Sequence, residues 1–215
     1  MKKHVLYIIV FSMSLLVGAC KSFVSVQPKK LYDVVPATNG NDIDGFNNLV
    51  IFQDDYDNSI WVSPEKQCIQ VQRVTTTADA GKASLHVSWN KITGACTWLG
   101  MGFGWNNWLP KDMLDITQQT AVQLKVKSAK GSFSNLPVAF AFEDYQGTQI
   151  YAGFEKSMAS GLFTETAWTT VTIPLKKFRF ERAEFNAEQV KQFIIQWEAD
   201  GDIYLDDIKI IRWQP

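Results

Sequence analysis

The residues best suited to chemistry fall into three groups: carboxylates toward the C-terminus, tryptophans interleaved with glycines, and a few histidines and cysteines. Nucleophilic and acid–base machinery is thinly supplied. Past the apolar N-terminal segment the chain keeps one histidine, His86, which alternates with Leu85 and Val87 and reads as an ordinary strand residue. There is no Gly-x-Ser-x-Gly elbow and no His-rich zinc spacing. Glu198-Ala199-Asp200-Gly201-Asp202 gathers three acidic residues, but paired-carboxylate catalysis needs both groups held across one bond. Asp200-Gly201 has the composition of a hairpin turn, which would splay them.

Asp206-Asp207 sits inside Ile203-Tyr204-Leu205-Asp206-Asp207-Ile208-Lys209-Ile210. Residues 203 and 205 share one phase and 208 and 210 the other, so the alternation slips by one at the acidic pair, the mark of a bulge. Carboxylates held there suit a hard cation such as calcium, which takes six to eight oxygens. Asp54 and Asp55, after the first strand, are candidate partners of Asp206. A charged bulge that protects a sheet edge accounts for the same pattern.

Eight tryptophans are present, three of them in Thr97-Trp98-Leu99-Gly100-Met101-Gly102-Phe103-Gly104-Trp105-Asn106-Asn107-Trp108. Leu99, Met101, Phe103 and Trp105 share a face and read as core, which leaves Trp98 on the other face with Gly100, Gly102 and Gly104. Glycines inside a strand mark close approach to the backbone. An indole beside a bare glycine floor suits a sugar ring, whose CH groups stack on aromatic faces; a loop packed over that floor is the alternative. Trp108, in an Asn- and Pro-containing loop, and Asp144, Tyr145 and Gln146, in a hairpin loop, are candidate rim contacts. Trp89, Trp168 and Trp197 follow the phase of apolar neighbours or begin strands and read as core.

The elements that must position these groups are strands. In Ala121 to Lys127 the apolar Val122, Leu124 and Val126 interleave with Gln123, Lys125 and Lys127. Similar segments are Leu49 to Phe52, Ile69 to Val74, Leu85 to Trp89, Trp98 to Trp105, Val138 to Phe142, Thr169 to Ile173, Phe193 to Trp197 and Ile203 to Ile211. One short helix is expected at Asn186-Ala187-Glu188-Gln189, capped by its Asn. Many short strands with almost no helix indicate an all-β antiparallel sandwich, and the length favours a jelly roll.

Residues Met1 to Ala19 read as a secretory signal: Lys2-Lys3, an apolar stretch from Val5 to Val17, then Gly18-Ala19 before Cys20. Leu16-Val17-Gly18-Ala19-Cys20 resembles the bacterial lipobox, whose cysteine is acylated, and the apolar run falls short of the ~20 residues that span a bilayer. The expected organisation is a signal peptide at 1–19, a lipidated tether at 20–46 and a β-sandwich domain at 47–215. The expected place is the cell envelope, anchored by lipid on the outer membrane, with its facing side left open. Such a compartment permits Cys68 and Cys96 to pair, and two separate buried thiols fit the spacing as well. A net charge of −1 without a basic stripe argues against nucleic acid.

Several segments together resemble the galactose-binding-like jelly rolls of carbohydrate-binding modules, above all the family 11 type and its relatives. Trp98-Leu99-Gly100-Met101-Gly102-Phe103 is similar to their tryptophan-glycine strand. Trp168-Thr169-Thr170-Val171-Thr172-Ile173-Pro174-Leu175-Lys176-Lys177-Phe178 is similar to their W-x-x-V-x-I-P-L-x-x-F segment, and Ile203 to Ile208 to their terminal Y-x-D-D-I strand. The resemblance spans about Asn47 to Arg212. It implies a non-catalytic lipoprotein that captures poly- or oligosaccharide, with Trp98 as stacking platform. It also implies a structural calcium between Asp206 and Asp54 or Asp55. The same sandwich occurs in an assembly-factor family associated with respiratory complex I, so a structural lipoprotein with envelope protein partners is the alternative. A glycoside hydrolase or lyase stands third.

Overall fold

Alternating apolar and polar residues convert into strands throughout the computed structural model, which describes residues 50–54, 59–104, 108–114 and 120–213. Cys20, Asp55 and Trp105 lie outside the described residues, as do the expected signal and tether. Eleven strands are present among the described residues: β1 Val50–Phe52, β2 Ile60–Val62, β3 Ile69–Val74, β4 Ser84–Asn90, β5 Gly100–Gly104, β6 Thr120–Ser128, β7 Val138–Asp144, β8 Gln149–Gly153, β9 Thr169–Pro174, β10 Val190–Trp197 and β11 Asp200–Arg212. In β6, Val122, Leu124 and Val126 are fully buried while Gln123, Lys125 and Lys127 are not, the pattern of a half-buried strand.

Two antiparallel sheets form a jelly-roll sandwich. The back sheet runs β3-β4-β11-β6-β9, with β1 beside the second half of β11; the front sheet runs β2-β5-β10-β7-β8. Between them, Phe103, Phe140, Phe142, Phe178 and Phe193 make a buried aromatic cluster with Met101, Leu124 and Ile195. Trp89 and Trp197 pack against each other in this core, ring centroids 4.5 Å apart and planes tilted by 34°. Trp168, expected in the core, is half-buried at the start of β9.

The slip at Asp206-Asp207 is a bulge: the register of β11 against β6 shifts between Asp206 and Lys209, and Asp207 takes a φ of 45°. Ile203 and Leu205 before it, and Ile208 and Ile210 after it, all reach the core.

Two expectations are corrected. Asp200-Gly201 is not a hairpin turn, because β10 and β11 lie in different sheets and the chain crosses the sandwich through Glu198-Ala199. Gly201 instead pairs with Trp89 across β11 and β4, and the indole occupies the place a Cβ would take. The expected helix is a single 3-10 turn, Ala187–Gln189, with the Asn186 side chain accepting the Glu188 N–H.

Strands β2 and β8 escape a reading by periodicity. Three residues cannot display a period, and in β8 the inward pair Ile150 and Ala152 is too brief to show one. They form both edges of the front sheet. Cys68 and Cys96 are joined in a disulfide with Cα atoms 6.5 Å apart. The bond ties the start of β3 to the loop that delivers Trp98.

Candidate functional site

The outer face of the front sheet follows from the register of its strands. In β5 the core takes Met101 and Phe103, so Gly100, Gly102 and Gly104 face outward. Three rows of neighbours then cross the face. The first is Gly104, Gln192, Glu143 and Gln149; the second is Trp61, Gly102, Ile194, Ala141 and Tyr151; the third is Gly100, Gln196, Ala139 and Gly153. The centre is thus a floor of small or flat-lying groups.

Each outward glycine carries an indole where its side chain would be: Trp98 against Gly100, Trp61 against Gly102 and Trp108 against Gly104. Any Cβ at these positions would strike a ring. The Trp61 and Trp98 rings lie 5.8 Å apart with planes within 18° of each other. All three indoles are half-buried, so each has one side against the sheet and retains exposed surface. Trp108 holds a φ of 66°, a left-handed conformation uncommon for a bulky residue. Across the floor, the exposed Tyr151 forms a second aromatic wall.

Polar side chains fill the ends of this groove. Trp61 Nε1 donates to Gln192 Oε1, and Gln192 Nε2 donates to Glu143 Oε1 at 3.0 Å. Lys191 Nζ reaches the same oxygen at 2.8 Å, while Gln149 Nε2 donates to Glu143 Oε2 at 2.6 Å. Tyr151 Oη donates to Gln149 Oε1. Burial raises the Glu143 carboxyl, but the hydrogen bonds from Lys191, Gln149 and Gln192 and the Lys191 charge outweigh it, leaving Glu143 below its ordinary value. The Tyr151 phenol is raised by burial first and then by the charges of Glu143 and Glu198.

Trp98 thus lies on the glycine face, as expected, in a longer indole row with Trp61 and Trp108. The hairpin after β7 behaves differently. Asp144 is fully buried: its Oδ1 accepts the Gln146 and Thr148 N–H groups at 2.8 and 2.9 Å, and its Oδ2 accepts Asn186 N–H at 2.9 Å. Such a side chain shapes the turn and has no exposed face for a rim contact. Tyr145 is partly exposed and anchored by its N–H to Gln189 O. Gln146 borders a separate depression of about 450 Å³ with Phe180 and Glu188.

The three C-terminal carboxylates do not converge. Glu198 binds Gln196 and Lys91, Asp200 accepts the Ile92 and Thr93 N–H groups, and Asp202 meets His86 Nε2 at 2.7 Å.

The calcium expected at Asp54, Asp55 and Asp206 can be tested against the donors around them. Asp54 Oδ1 accepts N–H from Lys82 and Ala83 at 2.5 and 2.8 Å. Asp206 Oδ2 accepts Asp79 and Ala80 N–H at 2.7 and 3.1 Å, and Oδ1 accepts Asp207 N–H at 2.7 Å. Both carboxylates therefore clamp one loop through its amides. A calcium site needs converging oxygens, whereas the Asp54 and Asp206 carboxylates are engaged by N–H groups of this loop; the third expected ligand, Asp55, lies outside the described residues. Among the described residues no cluster of three or more His, Cys, Asp or Glu side chains could hold a metal.

Trp61, Tyr151, Gln192, Gln196 and Glu143 are site residues that periodicity alone does not single out. The usable signal was spacing on β10: Gln192 and Gln196 lie in the phase opposite to the buried Phe193 and Ile195.

A family model described as carbohydrate binding domain 30 matches residues 48–212. No curated protein matches in sequence. The family 30 carbohydrate-binding module of a cellulosomal cellulase of Clostridium thermocellum aligns at 18% identity over 78% of this chain and 99% of its own, with a TM-score of 0.61. The family 11 module from Clostridium thermocellum, solved with a β-1,3-1,4-mixed-linked tetrasaccharide, aligns at 12% identity over 77% of this chain and 96% of its own, with a TM-score of 0.53. A β-1,2-glucanase from Parabacteroides distasonis aligns at 15% identity over 78% of this chain but 25% of its own, with a TM-score of 0.52. The family match moves the resemblance from the family 11 type to family 30; the structural likenesses at these identities concern the fold.

Proposed function

From the membership of this chain in the carbohydrate binding domain 30 family, we propose that it is a non-catalytic lipoprotein capturing poly- or oligosaccharide at the cell envelope through the row of Trp98, Trp61 and Trp108. The observation that carries the reading is the seating of three indoles on three alternate glycines of β5. That arrangement holds the rings against the sheet with surface left for a sugar chain. Placement of a bound chain between the indole row and Tyr151 would put hydroxyls beside Glu143, Gln149 and Gln196, while the buried Gln192 holds the Trp61 N–H.

Attachment through Cys20 is compatible with this use. The described chain begins at β1, in the back sheet, while the indoles stand on the outer face of the front sheet. The alternative, a protein-docking lipoprotein, requires the glycine floor to be covered by a packed loop; here its covers are the indoles themselves.

The test is titration of a polysaccharide panel against wild type, Trp61→Ala and Trp98→Ala, with folding followed by circular dichroism. Wild type is expected to bind at least one glycan, and each variant to lose about tenfold or more, as expected for a central aromatic anchor. Failure of the folded wild type to bind any glycan sinks the reading. Lipidation is tested separately by labelled fatty acid uptake, which Cys20→Ala is expected to abolish together with membrane retention.

A further inference from the structure

A second depression, of about 460 Å³, opens at the end of the sandwich where β6 gives way to β7. It shares no residue with the groove of the front sheet. β11 lines it with Gly201 and Asp202, on the back-sheet side of the Glu198-Ala199 crossing. Its size falls within the ~300 to 1,000 Å³ usual for small-molecule sites.

The walls are fixed by the chain's own bonds. Phe133 exchanges backbone hydrogen bonds with Phe163 at 3.0 and 3.1 Å, and the two rings stack with centroids 4.9 Å apart. Ala129 N–H donates to Asp202 O at 3.1 Å, and Pro137 O accepts the Glu198 N–H at 2.9 Å. The loop from Ala129 to Pro137 is clamped at both ends and in the middle, so the depression is formed without a ligand.

Its chemistry is graded from mouth to floor. Lys130, Ser132 and Asn135 are exposed at the mouth, and the half-buried Phe133 and Pro137 make an apolar side. Asp202 Oδ1 meets His86, which leaves Oδ2 as an acceptor. Trp89, 4% exposed, lies at the bottom. Its Nε1 is buried without a hydrogen-bond partner on the ring edge beneath Gly201, with Cε2 2.9 Å from the place of a Gly201 Cβ. Exposed groups at the mouth and a core ring at the bottom make the depression blind, so it suits the end of a chain and not its middle. An amide and a hydroxyl both donate and accept, an ammonium donates and a carboxylate accepts, a set that complements neighbouring hydroxyls. The apolar side complements the CH groups of a sugar ring.

We propose that this depression binds the terminal sugar ring of a glycan, with Asn135, Ser132, Lys130 and Asp202 as hydroxyl contacts and Phe133 and Pro137 against the ring. The site is separate from the indole row and does not depend on it.

The experiment is nitrogen-15 NMR of the full chain, following its eight indole N–H signals. The probes are glucose, galactose, mannose, xylose, arabinose, a β-1,3-1,4-mixed-linked tetrasaccharide and a high-molecular-weight β-glucan. At least one of the small sugars is expected to shift the Trp89 signal saturably, in wild type and in Trp98→Ala alike. The polymer, which offers few ends per unit mass, is expected to move Trp61 and Trp98 and to leave Trp89 nearly still. Asn135→Ala, at an exposed position, is expected to weaken the Trp89 response about threefold to tenfold, as for one lost hydrogen bond, with the Trp61 and Trp98 responses unchanged.

A Trp89 signal that stays still with every probe, or that responds equally in Asn135→Ala, overturns the proposal. Loss of the Trp89 response in Trp98→Ala does the same, because the signal would then be relayed from the groove. An equal response to the polymer by mass overturns recognition of chain ends. Stationary Trp61 and Trp98 signals beside a moving Trp89 would sink the groove reading and leave this one standing.

Discussion

The same cross-strand pair, a tryptophan opposite a glycine, occurs on the inside and on the outside of this sandwich, with opposite outcomes. Trp89 opposite Gly201 faces the core: the ring is 4% exposed, packs at a tilt against Trp197, and neither indole N–H has a hydrogen-bond partner. Trp61 opposite Gly102 faces out: the ring is half-buried and its N–H is taken by Gln192. Burial on all sides holds the inner ring, so an unpaired N–H is tolerated. The outer ring lacks packing on one side and is oriented by a hydrogen bond instead. The glycine contributes the same thing to both, room for a ring against the backbone.

That contrast has measurable consequences. Trp197→Ala removes the largest inner ring and is expected to cost about 3 to 5 kcal/mol by chemical denaturation; a loss under about 1 kcal/mol would mean the inner pair is not held by packing. Reduction of Cys68–Cys96, which closes a loop of 28 residues, is expected to cost about 3 kcal/mol. It is also expected to weaken glycan binding, since the bond anchors the loop that ends at Trp98; unchanged binding would show that Trp98 holds its place without it.

The two glycines separate stability from binding. Gly201→Ala drives a methyl into the Trp89 ring and is expected to destabilise by about 1 to 3 kcal/mol, the range for overpacking a core. Gly102→Ala meets the half-buried Trp61 ring and the Gln192 oxygen on the outer face of the sheet, so its expected effect is larger on affinity than on melting temperature. Equal loss of stability in both would erase the distinction.

Acid is expected to have a smaller effect, and its sign follows from two groups. Glu143 lies below its ordinary value of 4.5, so the stability it contributes is present above that value and lost as pH falls through its folded value. Asp206 is raised above 3.8, by burial first, so its contribution runs the other way: full below 3.8 and lost as pH rises through its folded value. Between pH 5 and 3 the melting temperature of wild type is expected to fall more than that of Glu143→Gln. The smallest effect is that of chelation. With amides engaging Asp54 and Asp206, EDTA is expected to shift the melting temperature by less than about 2 °C, and a larger drop would restore calcium to that loop.

How much was legible varies along the chain for physical reasons. Strands β6, β4 and β9 bury one face and expose the other, so alternation of residue types records them directly. The bulge in β11 was legible from the same rule, because a one-residue slip reverses which side chains are apolar. Trp98 and its glycines were legible because Leu99, Met101 and Phe103 claim the opposite face. The misread Gly201 shows the limit: a glycine that admits a ring and one that turns the chain are identical in sequence, and only the partner strand distinguishes them.

By its order of residues alone this chain determined an antiparallel sandwich, its main strands, and one indole on a glycine face, since periodicity and local sterics act over a few neighbouring positions. Tertiary structure alone decided that Trp61, 37 residues before Trp98, lies beside it, that Gln192 and Gln196 serve the two rings, and that Tyr151 closes the groove. It also decided that Asp144 turns inward and that Asp54 and Asp206 grip one loop. Those outcomes depend on which strands become neighbours in each sheet, a choice made by packing the whole core and not by any segment on its own.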